Sequence, residues 1–334
     1  MIIEIKDKNN TEIFDNIVKK LQLENIRFSN YDIADKRYIT YSSQEMINIA
    51  ANDDINLIEN NDNYYFISRA FQNKQTIIKV NNWLIGAGSL TYIGGPCAVE
   101  SVEQLEAITM YIKESKSHFL RGGIFKPRTS PYTFQGLQHQ GFEIIKQVKT
   151  KYQIPIVCEL TSVQQINDYA KDIDIIQIGA RNMQNFDLLQ AAARTKKPII
   201  LKRNFNATIN EFLNAAEYIY LAGNPNIILC ERGIRSFETA YRNVTDINAI
   251  VLLKQLSHLP VFIDPSHATG TSSLVEDVAL SAIMAGVDGL LVETHQQPET
   301  ALSDGAQALN KADYLKLITK ASKLKNFMNK ELSD

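Results

Sequence analysis

The stretch PVFIDPSHATGTSSLVEDVALSAIMAGVDGLLVETH, residues 260–295, contains two short apolar runs separated by an amphipathic segment. The runs VFI and GLLV lack the alternation of apolar and polar residues that marks a half-exposed strand, so they predict strands buried on both faces. The segment SLVEDVALSAIMAG between them has the apolar spacing of a helix. The stretch therefore predicts a strand–helix–strand unit with parallel strands, and ionisable residues follow each apolar run.

The same alternation begins at residue 91 and continues past Tyr314. Its apolar runs are TYIGGPCAV, FLRGGIF, IPIVCEL, DIIQIGA, PIILKR, NIILCER, PVFIDPSH and GLLVETH. Eight such units over roughly 240 residues have the size of a (β/α)8 TIM barrel. A doubly wound open sheet is the alternative, but no GxGxxG motif follows the first strand to support it.

Residues 1–70 differ from the rest of the chain and predict a small α+β domain. MIIEI, IRFSNYDIA, RYITYSS and NYYFISR read as strands, and TEIFDNIVKKLQ and SQEMINIAA read as helices. The order βαββαβ is that of a ferredoxin-like module. We expect residues 71–90 to form a linker with a hairpin, and residues 91–334 to form the barrel.

Composition limits the possible partners and the compartment. The 334 residues are 45% hydrophobic and 22% charged, which is typical of a globular protein, and the formal net charge of −2 gives no general attraction to nucleic acid or anionic membranes. No apolar run reaches the roughly 20 residues of a membrane span, and we find no signal peptide. Three cysteines argue against a disulfide scaffold. We therefore expect a cytoplasmic protein without nucleic-acid or membrane partners.

Ionisable residues collect at the predicted carboxyl ends of the strands, where (β/α)8 enzymes have their active sites. In strand order these ends carry Cys97; Arg121, Lys126 and Arg128; Glu159; Ala180 and Arg181; Lys202 and Arg203; Glu231 and Arg232; Asp264 and His267; and Glu293 and His295. A solvated basic loop is the alternative for RGGIFKPRTS, residues 121–130, but several basic ends converge. Because these cations would repel one another in an empty site, we expect at least two phosphate or carboxylate groups to bind together. Arg128 and Thr129 could hold the second phosphate.

A second group of strand-end residues could hold a divalent metal. It comprises Cys97, His267, Glu293 and Asp304, the last in ALSDG. Thiolate, imidazole and carboxylates form a ligand set of mixed softness. None is spaced as a local motif such as CxxC, and a buried structural role is the alternative for Cys97. Cys158 and Cys230 lie in apolar runs and are expected in the core, while His295 could support the metal site or cap a turn.

Seven blocks of the sequence resemble those of 3-deoxy-D-arabino-heptulosonate 7-phosphate (DAHP) synthase. They are GGPCAVES, LRGGIFKPRTSPYTFQGL, IIQIGARNMQNF, KPIILKRNF, IILCERGIRSFETAYRN, LPVFIDPSHATG and ALSDGAQAL. The resemblance covers the chain from about residue 60 onward and is looser before it. It is strongest to the type I beta branch, in which a ferredoxin-like regulatory domain precedes the barrel. It implies the condensation of phosphoenolpyruvate with D-erythrose 4-phosphate and water, the first step of the shikimate pathway to aromatic amino acids.

The resemblance also implies roles for individual residues. A divalent metal (Mn, Fe, Co, Zn or Cu) would be ligated by Cys97, His267, Glu293 and Asp304. Phosphoenolpyruvate would be held by Arg121, Lys126, Ala180, Arg181, Lys202 and Arg232, and erythrose 4-phosphate by Pro127, Arg128 and Thr129. The catalytic residues would be Lys126, Glu159, Asp264 and His267, with Glu159 and Asp264 positioning water and moving protons. A homotetramer or homodimer, and an aromatic effector (Tyr or Phe) at the N-terminal domain, are implied as well.

One departure and two rival functions accompany this resemblance. Thr271, Ser272 and Ser273 stand where this branch is expected to have basic residues, which puts a phosphate contact from that loop in doubt. A sister reaction uses arabinose 5-phosphate and gives 3-deoxy-D-manno-octulosonate 8-phosphate. Its family carries Ala-Asn where this chain has Pro127 and Arg128, so the four-carbon sugar is favoured. A sensor without catalytic activity is the other rival, but every matched ligand and cation position is filled.

Overall fold

The computed structural model describes residues 1–41, 49–59, 63–126 and 130–332, and the chain divides into two compact units, Met1–Lys74 and Gln75–Asp334. In the second unit, eight parallel strands close into a barrel, which confirms the predicted (β/α)8 fold. No helix among the described residues is long and apolar enough to cross a membrane.

The barrel strands follow one another around the barrel in chain order, and the last pairs with the first. They are β7 (Thr91–Gly95), β8 (Phe119–Arg121), β9 (Ile156–Glu159), β10 (Ile175–Ile178), β11 (Ile199–Lys202), β12 (Ile227–Glu231), β13 (Val261–Ile263) and β14 (Gly289–Glu293). Between and after them lie α2 (Val102–Glu114), α3 (His139–Tyr152), α4 (Val163–Tyr169), α5 (Phe186–Arg194), α6 (Ile209–Leu221), α7 (Ile247–Leu256), α8 (Pro265–Thr269), α9 (Val275–Met284) and α10 (Lys311–Glu331). The strands are almost completely buried, as their continuous apolar runs predict.

Short polar residues begin several of the outer helices. The hydroxyls of Ser101 and Ser162 accept from the backbone N–H groups of residues in the first turns of α2 and α4. Thr208 and Glu211 form a reciprocal capping box at the start of α6. These caps define where the loops that follow the strands end and the helices begin.

A hairpin of β5 (Ile78–Val80) and β6 (Trp83–Ile85) lies against the amino-terminal end of the barrel. Its apolar side chains belong to the same buried cluster as Phe119 and Phe262 of the barrel interior. At its end, a Cβ on Gly86 would come within 3.1 Å of Cγ of Pro260, which precedes β13. The hairpin covers the amino-terminal end, so the chemistry is left to the carboxyl ends of the strands.

The first unit contains a four-stranded antiparallel sheet in the order β2-β3-β1-β4. Its elements are β1 (Ile2–Ile5), α1 (Thr11–Leu23), β2 (Phe28–Ile33), β3 (Lys36–Tyr41) and β4 (Ile55–Ile58). The first helix and the first three strands lie where the sequence predicts them, and the strand order is that of a ferredoxin-like sheet. The predicted helix SQEMINIAA falls mostly on residues 42–48, outside the described residues.

The prediction of the last strand of this unit was wrong. The fourth strand is INLI, Ile55–Ile58, which pairs with β1, whereas NYYFISR forms turns. The ring of Phe66 packs edge-on against Tyr38 and Phe71, with ring centroids 5.3 and 5.2 Å apart. The aromatic run therefore buries its side chains by ring packing and not by pairing as a strand.

Candidate active site

The carboxyl ends of the barrel strands surround a cavity of about 390 Å³. Its lining residues are Lys126, Glu159, Gln177, Gly179, Ala180, Arg181, Lys202, Phe205, Arg232, Arg235, Arg242, Asn243, His267 and Asp304. Among these described residues, six carry a lysine or arginine cation and two carry a carboxylate. The cavity is therefore suited to a ligand with several negative charges.

Four potential metal ligands meet beside this cavity. Cys97, His267, Glu293 and Asp304 each offer one donor atom, and these atoms all lie within 4.8 Å of one another. The Cys97 sulfur lies 3.1 Å from Oδ2 of Asp304, and Nε2 of His267 lies 3.5 Å from Oε1 of Glu293. That Oε1 atom is buried and makes no hydrogen bond within the described part of the chain. A thiol, an imidazole and two carboxylates so close together fit a divalent transition metal.

The pKa of Cys97 describes the site before a metal binds. Burial, and then the neighbouring Glu293 carboxylate, raise the pKa of the Cys97 thiol to about 12. The Asp304 carboxyl shows the opposite effect, because the Cys97 hydrogen bond and nearby cations outweigh burial and lower its pKa to about 2. A metal must therefore displace the thiol proton, whereas the Asp304 carboxylate is already ionised at neutral pH.

Asp264 orients His267 within this cluster. It precedes α8, and its carboxylate accepts the backbone N–H of His267 at 2.9 Å and lies 2.7 Å from the ring Nδ1. Burial opposes ionisation of Asp264, but His267 and Lys202 outweigh it and hold its pKa well below the usual range. Because Nδ1 is engaged by Asp264, Nε2 is the ring nitrogen left to face the other potential ligands.

The turn that carries His267 is held from the side by the segment after β12. The backbone carbonyl of His267 accepts hydrogen bonds from Nδ2 of Asn243 at 2.9 Å and from Nη2 of Arg232 at 3.2 Å. Gly233 lies under this contact, where an added Cβ would come within 2.7 Å of Cβ of Asn243. The loop after β12 therefore helps to hold the backbone of His267 in position.

Arg121 and Lys126 are both buried, and Lys126 lines the cavity. Nη2 of Arg121 is 3.2 Å from Oε1 of Glu293, and its Nη1 is a buried donor with no hydrogen bond in the described residues. Nζ of Lys126 donates to the Cys97 carbonyl at 3.2 Å. Burial opposes the charge of Lys126, but Cys97 and nearby carboxylates raise its pKa, so it stays cationic. Lys126 thus connects the cavity with the potential metal ligands.

Glu159 enters the cavity from the end of β9 through a space left by a glycine. Its Oε2 accepts from Nε2 of Gln177 at 3.2 Å. A Cβ on Gly179 would lie only 1.9 Å from Oε1 of Glu159, so this position has no room for a side chain. Gln177 and Gly179 together determine where the carboxylate lies.

The structure separates some strand-end residues from the cavity. Arg203 forms ion pairs with Glu231 at 3.0 Å and Asp246 at 2.9 Å, and neither Arg203 nor Glu231 lines the cavity. Nδ1 of His295 accepts the backbone N–H of Gln297 at 3.1 Å, which favours the turn-capping alternative for this histidine. The predicted sugar-phosphate residues Pro127, Arg128 and Thr129 fall outside the described residues.

Cys158 and Cys230 are buried as predicted, Cys230 within the barrel core. Thr271, Ser272 and Ser273 belong to the turn before α9, and none of the three is among the described residues that line the cavity.

The family follows from the sequence as a whole. Residues 70–330 match the profile of the DAHP synthetase I family. The chain belongs to this family. Phospho-2-dehydro-3-deoxyheptonate aldolase of Thermotoga maritima is 46% identical over 261 residues, which span 78% of this chain and 77% of that protein. 2-Dehydro-3-deoxyphosphooctonate aldolase of Geotalea uraniireducens is 32% identical over 267 residues, spanning 73% of this chain and 95% of that protein.

Solved structures of DAHP synthases are similar to this chain. The crystal structure of the Thermotoga maritima DAHP synthase superimposes with a TM-score of 0.80 at 38% identity, covering 98% of this chain and 97% of that one. A truncated form of 3-deoxy-D-arabino-heptulosonate 7-phosphate synthase from the same organism gives a TM-score of 0.74 at 41% identity, covering 79% and 97%. The similarity to a DAHP synthase thus extends over both units of the chain.

Sequence reasoning missed several residues that line the cavity of this DAHP synthetase family member. They are Gln177, Gly179, Phe205, Arg235, Arg242 and Asn243. The guanidinium of Arg235 stacks 4.3 Å from the ring centre of Phe205. A signal was present in the sequence, because the block ERGIRSFETAYRN carries three arginines after a predicted strand. Only the first of them, Arg232, was singled out.

Proposed function

We propose that this chain condenses phosphoenolpyruvate with D-erythrose 4-phosphate and water, giving DAHP and inorganic phosphate. The observation that carries the proposal is the position of the cluster Cys97, His267, Glu293 and Asp304 at the edge of a cavity lined with cations. Membership of the DAHP synthetase I family and the similar Thermotoga DAHP synthase support it. The chemistry that follows is part of the same proposal.

The cations of the cavity bind and orient phosphoenolpyruvate. The proposed set is Lys126, Arg181, Lys202 and Arg232, which line the cavity, together with the backbone of Ala180 and with Arg121, which is buried beside Glu293. Arg181 lies in the short turn after β10, where its guanidinium can reach the ligand from the solvent side, while Lys202 approaches from the barrel interior. Phosphate and carboxylate oxygens match guanidinium forks, and fixing both groups converts a two-substrate encounter into an oriented reaction.

A divalent metal is proposed to bind to Cys97, His267, Glu293 and Asp304. When bound there, it would supply Lewis-acid polarisation of the sugar aldehyde. Asp264 keeps Nε2 of His267 directed at this position, and Arg121 offsets the charge of Glu293. The donors suit Mn, Fe, Co, Zn or Cu.

Lys126 and Glu159 are proposed to handle the protons of the reaction. As C3 of phosphoenolpyruvate attacks the aldehyde, the carbonyl oxygen gains negative charge, and the cationic Lys126 can donate a proton to it. Water then adds at C2, and Glu159 can accept its proton from the other side of the cavity. The C2–O bond to phosphate then breaks, and the C2 hydroxyl gives its proton to the departing phosphate as the 2-keto acid forms. The proton held by Glu159 returns to solvent, and solvent replaces the proton that Lys126 gave, so the protons balance. Asp264 is ionised and buried, so it orients His267 and Lys202 and is not the acid.

The remaining assignments concern the second substrate, the effector and assembly. Pro127, Arg128 and Thr129 are proposed to hold the phosphate of erythrose 4-phosphate. The unit Met1–Lys74 is proposed to bind tyrosine or phenylalanine as a feedback inhibitor, and the chain to assemble as a homotetramer or homodimer. The similarity to the Thermotoga DAHP synthase, which covers 98% of this chain and so includes residues of both units, supports these assignments.

Substrate consumption by metal-stripped protein tests the reaction. EDTA-treated protein is assayed for loss of phosphoenolpyruvate with erythrose 4-phosphate or arabinose 5-phosphate, before and after addition of Mn²⁺. Metal-dependent turnover with the four-carbon sugar alone is expected. Turnover with the five-carbon sugar would assign the octulosonate reaction of relatives such as the Geotalea protein, and no turnover with either sugar would favour a sensor.

A further inference from the structure

A buried glutamine connects the loop after β12 with one of the potential metal ligands. Gln307 is 2% exposed, its Nε2 donates to Oε2 of Glu293, and its Oε1 accepts from Nη1 of Arg242 at 2.9 Å. Neither Gln307 nor Arg242 is among the site residues that the sequence predicts. Both stand outside the four donors, yet they contact this cluster directly.

The chemistry of the two partners allows only one orientation of this amide. A guanidinium can only donate hydrogen bonds, and an ionised carboxylate can only accept them. The Gln307 amide between Arg242 and Glu293 must therefore present its oxygen to Arg242 and its NH₂ group to Glu293. A reversed amide would place two donors together at one end and two acceptors together at the other.

This orientation distinguishes the two oxygens of Glu293. Oε2 is engaged by Gln307. Oε1 makes no hydrogen bond in the described residues, and it lies 3.2 Å from Nη2 of Arg121 and 3.5 Å from Nε2 of His267. Rotation of the carboxylate about its last bond would break the Gln307 contact. Gln307 therefore keeps a single oxygen of Glu293 directed at the other three donors.

Arg242 is itself held in place by backbone contacts. Its N–H donates to the Thr269 carbonyl at 3.1 Å, and Gly270, with a φ of 72°, leaves the space that its side chain crosses. A Cβ on Gly270 would come within 2.5 Å of Cβ of Arg242. Nη1 of Arg242 also lies 4.0 Å from Oδ1 of Asp304, so the same guanidinium faces a second potential ligand.

We propose that Gln307, oriented by Arg242, is a positioning residue that fixes Glu293 as a one-oxygen ligand of the metal. The inference rests on the proposed metal-dependent function and adds to it two residues that act on the metal site through Glu293. Arg242 also lines the cavity. Partners of this kind orient metal ligands, and their loss commonly weakens metal binding by about 10- to 100-fold.

The test compares two glutamines that make the same kind of bridge. Gln307→Leu removes both hydrogen bonds while keeping most of the side-chain volume. Gln75→Leu is the matched control, because Gln75 bridges Lys254 and Asp288 at 2.8 Å each, at the opposite end of the barrel. The Kd for Mn²⁺ is measured on metal-free proteins from the electron paramagnetic resonance signal of unbound Mn²⁺. Gln307→Leu is expected to raise the Kd by about 10- to 100-fold, and Gln75→Leu by less than about twofold.

A spectrum distinguishes a displaced ligand from a loosened fold. With Co²⁺ in place of Mn²⁺, Gln307→Leu should shift the ligand-field bands while the thiolate charge-transfer band of Cys97 remains. Arg242→Lys, which can still donate to the amide oxygen, should restore most of the affinity that Arg242→Leu loses. Unchanged Mn²⁺ affinity and an unchanged Co²⁺ spectrum in Gln307→Leu would overturn the inference. Failure of the wild-type protein to bind Mn²⁺ would instead overturn the proposed function, and the inference with it.

Discussion

Gly179→Ala tests how closely the position of Glu159 controls the reaction. The added Cβ would lie 1.9 Å from Oε1 of Glu159, whereas ordinary van der Waals contact needs roughly 3.5 Å. The carboxylate must therefore retreat by roughly 1.5 Å, which its flexible side chain can do without disturbing the barrel. Displacement of a catalytic group by about 1 Å can cost about 100-fold in rate, or about 2.7 kcal/mol of transition-state stabilisation. We expect kcat to fall by about that factor.

The assay combines steady-state kinetics with thermal unfolding in a double-mutant cycle. Gly179 has an ordinary φ of −70°, so alanine adds no backbone strain and the melting temperature should not fall. In a Glu159→Ala background, Gly179→Ala should have almost no further effect on kcat, because the displaced group is gone. An equal loss of kcat in both backgrounds would refute the reasoning, as would full activity of the single variant.

Three further predictions concern the metal, a structural ion pair and the N-terminal unit. Burial raises the pKa of the Cys97 thiol to about 12, and the metal must displace its proton. The Mn²⁺ affinity should therefore rise about tenfold per pH unit between about pH 7 and pH 9. An Mn²⁺ affinity that calorimetry finds to be independent of pH would contradict this. Arg203→Met leaves the buried Glu231 without its arginine partner and should lower the free energy of unfolding, measured by denaturant titration, by about 3–5 kcal/mol. The KM for phosphoenolpyruvate should change little. Unchanged stability would show that the ion pair is dispensable. Removal of Met1–Lys74 should preserve turnover and abolish inhibition by tyrosine or phenylalanine, and inhibition that persists would place the effector site on the barrel.

The barrel was predictable because its signal is repeated. Each of eight apolar runs is followed by a helix with a separate amphipathic pattern, so an error in one element leaves the period intact. The N-terminal unit offers no such repetition. Its fourth strand, Ile55–Ile58, is four residues long, and the aromatic run at residues 64–67 looks more like a strand than the true one does. The conformation of that segment is set by ring packing between Phe66 and its neighbours, which the spacing of residues in the sequence does not predict.

The sequence predicted that the candidate site lies at the carboxyl ends of the strands, but not which strand-end residues face the cavity. Lys202 and Arg203 are adjacent, yet the first lines the cavity and the second pairs with Glu231, because successive side chains of a strand point to opposite faces. The potential metal ligands come from a strand end, a short helix and two loops far apart in the chain, so their spacing forms no local motif. Gln307 and Arg242 make their contacts only after two distant loops have been brought together by the closed barrel.

The most direct measurement is anomalous X-ray diffraction from crystals grown with Mn²⁺ and phosphoenolpyruvate. One manganese peak is predicted within bonding distance of all four donors, from Cys97, His267, Glu293 and Asp304. The phosphate and carboxylate of phosphoenolpyruvate should lie against the cavity-lining cations, Lys202 among them. A manganese peak elsewhere, or phosphoenolpyruvate bound away from this cavity, would contradict the proposal that the metal and this substrate share one site.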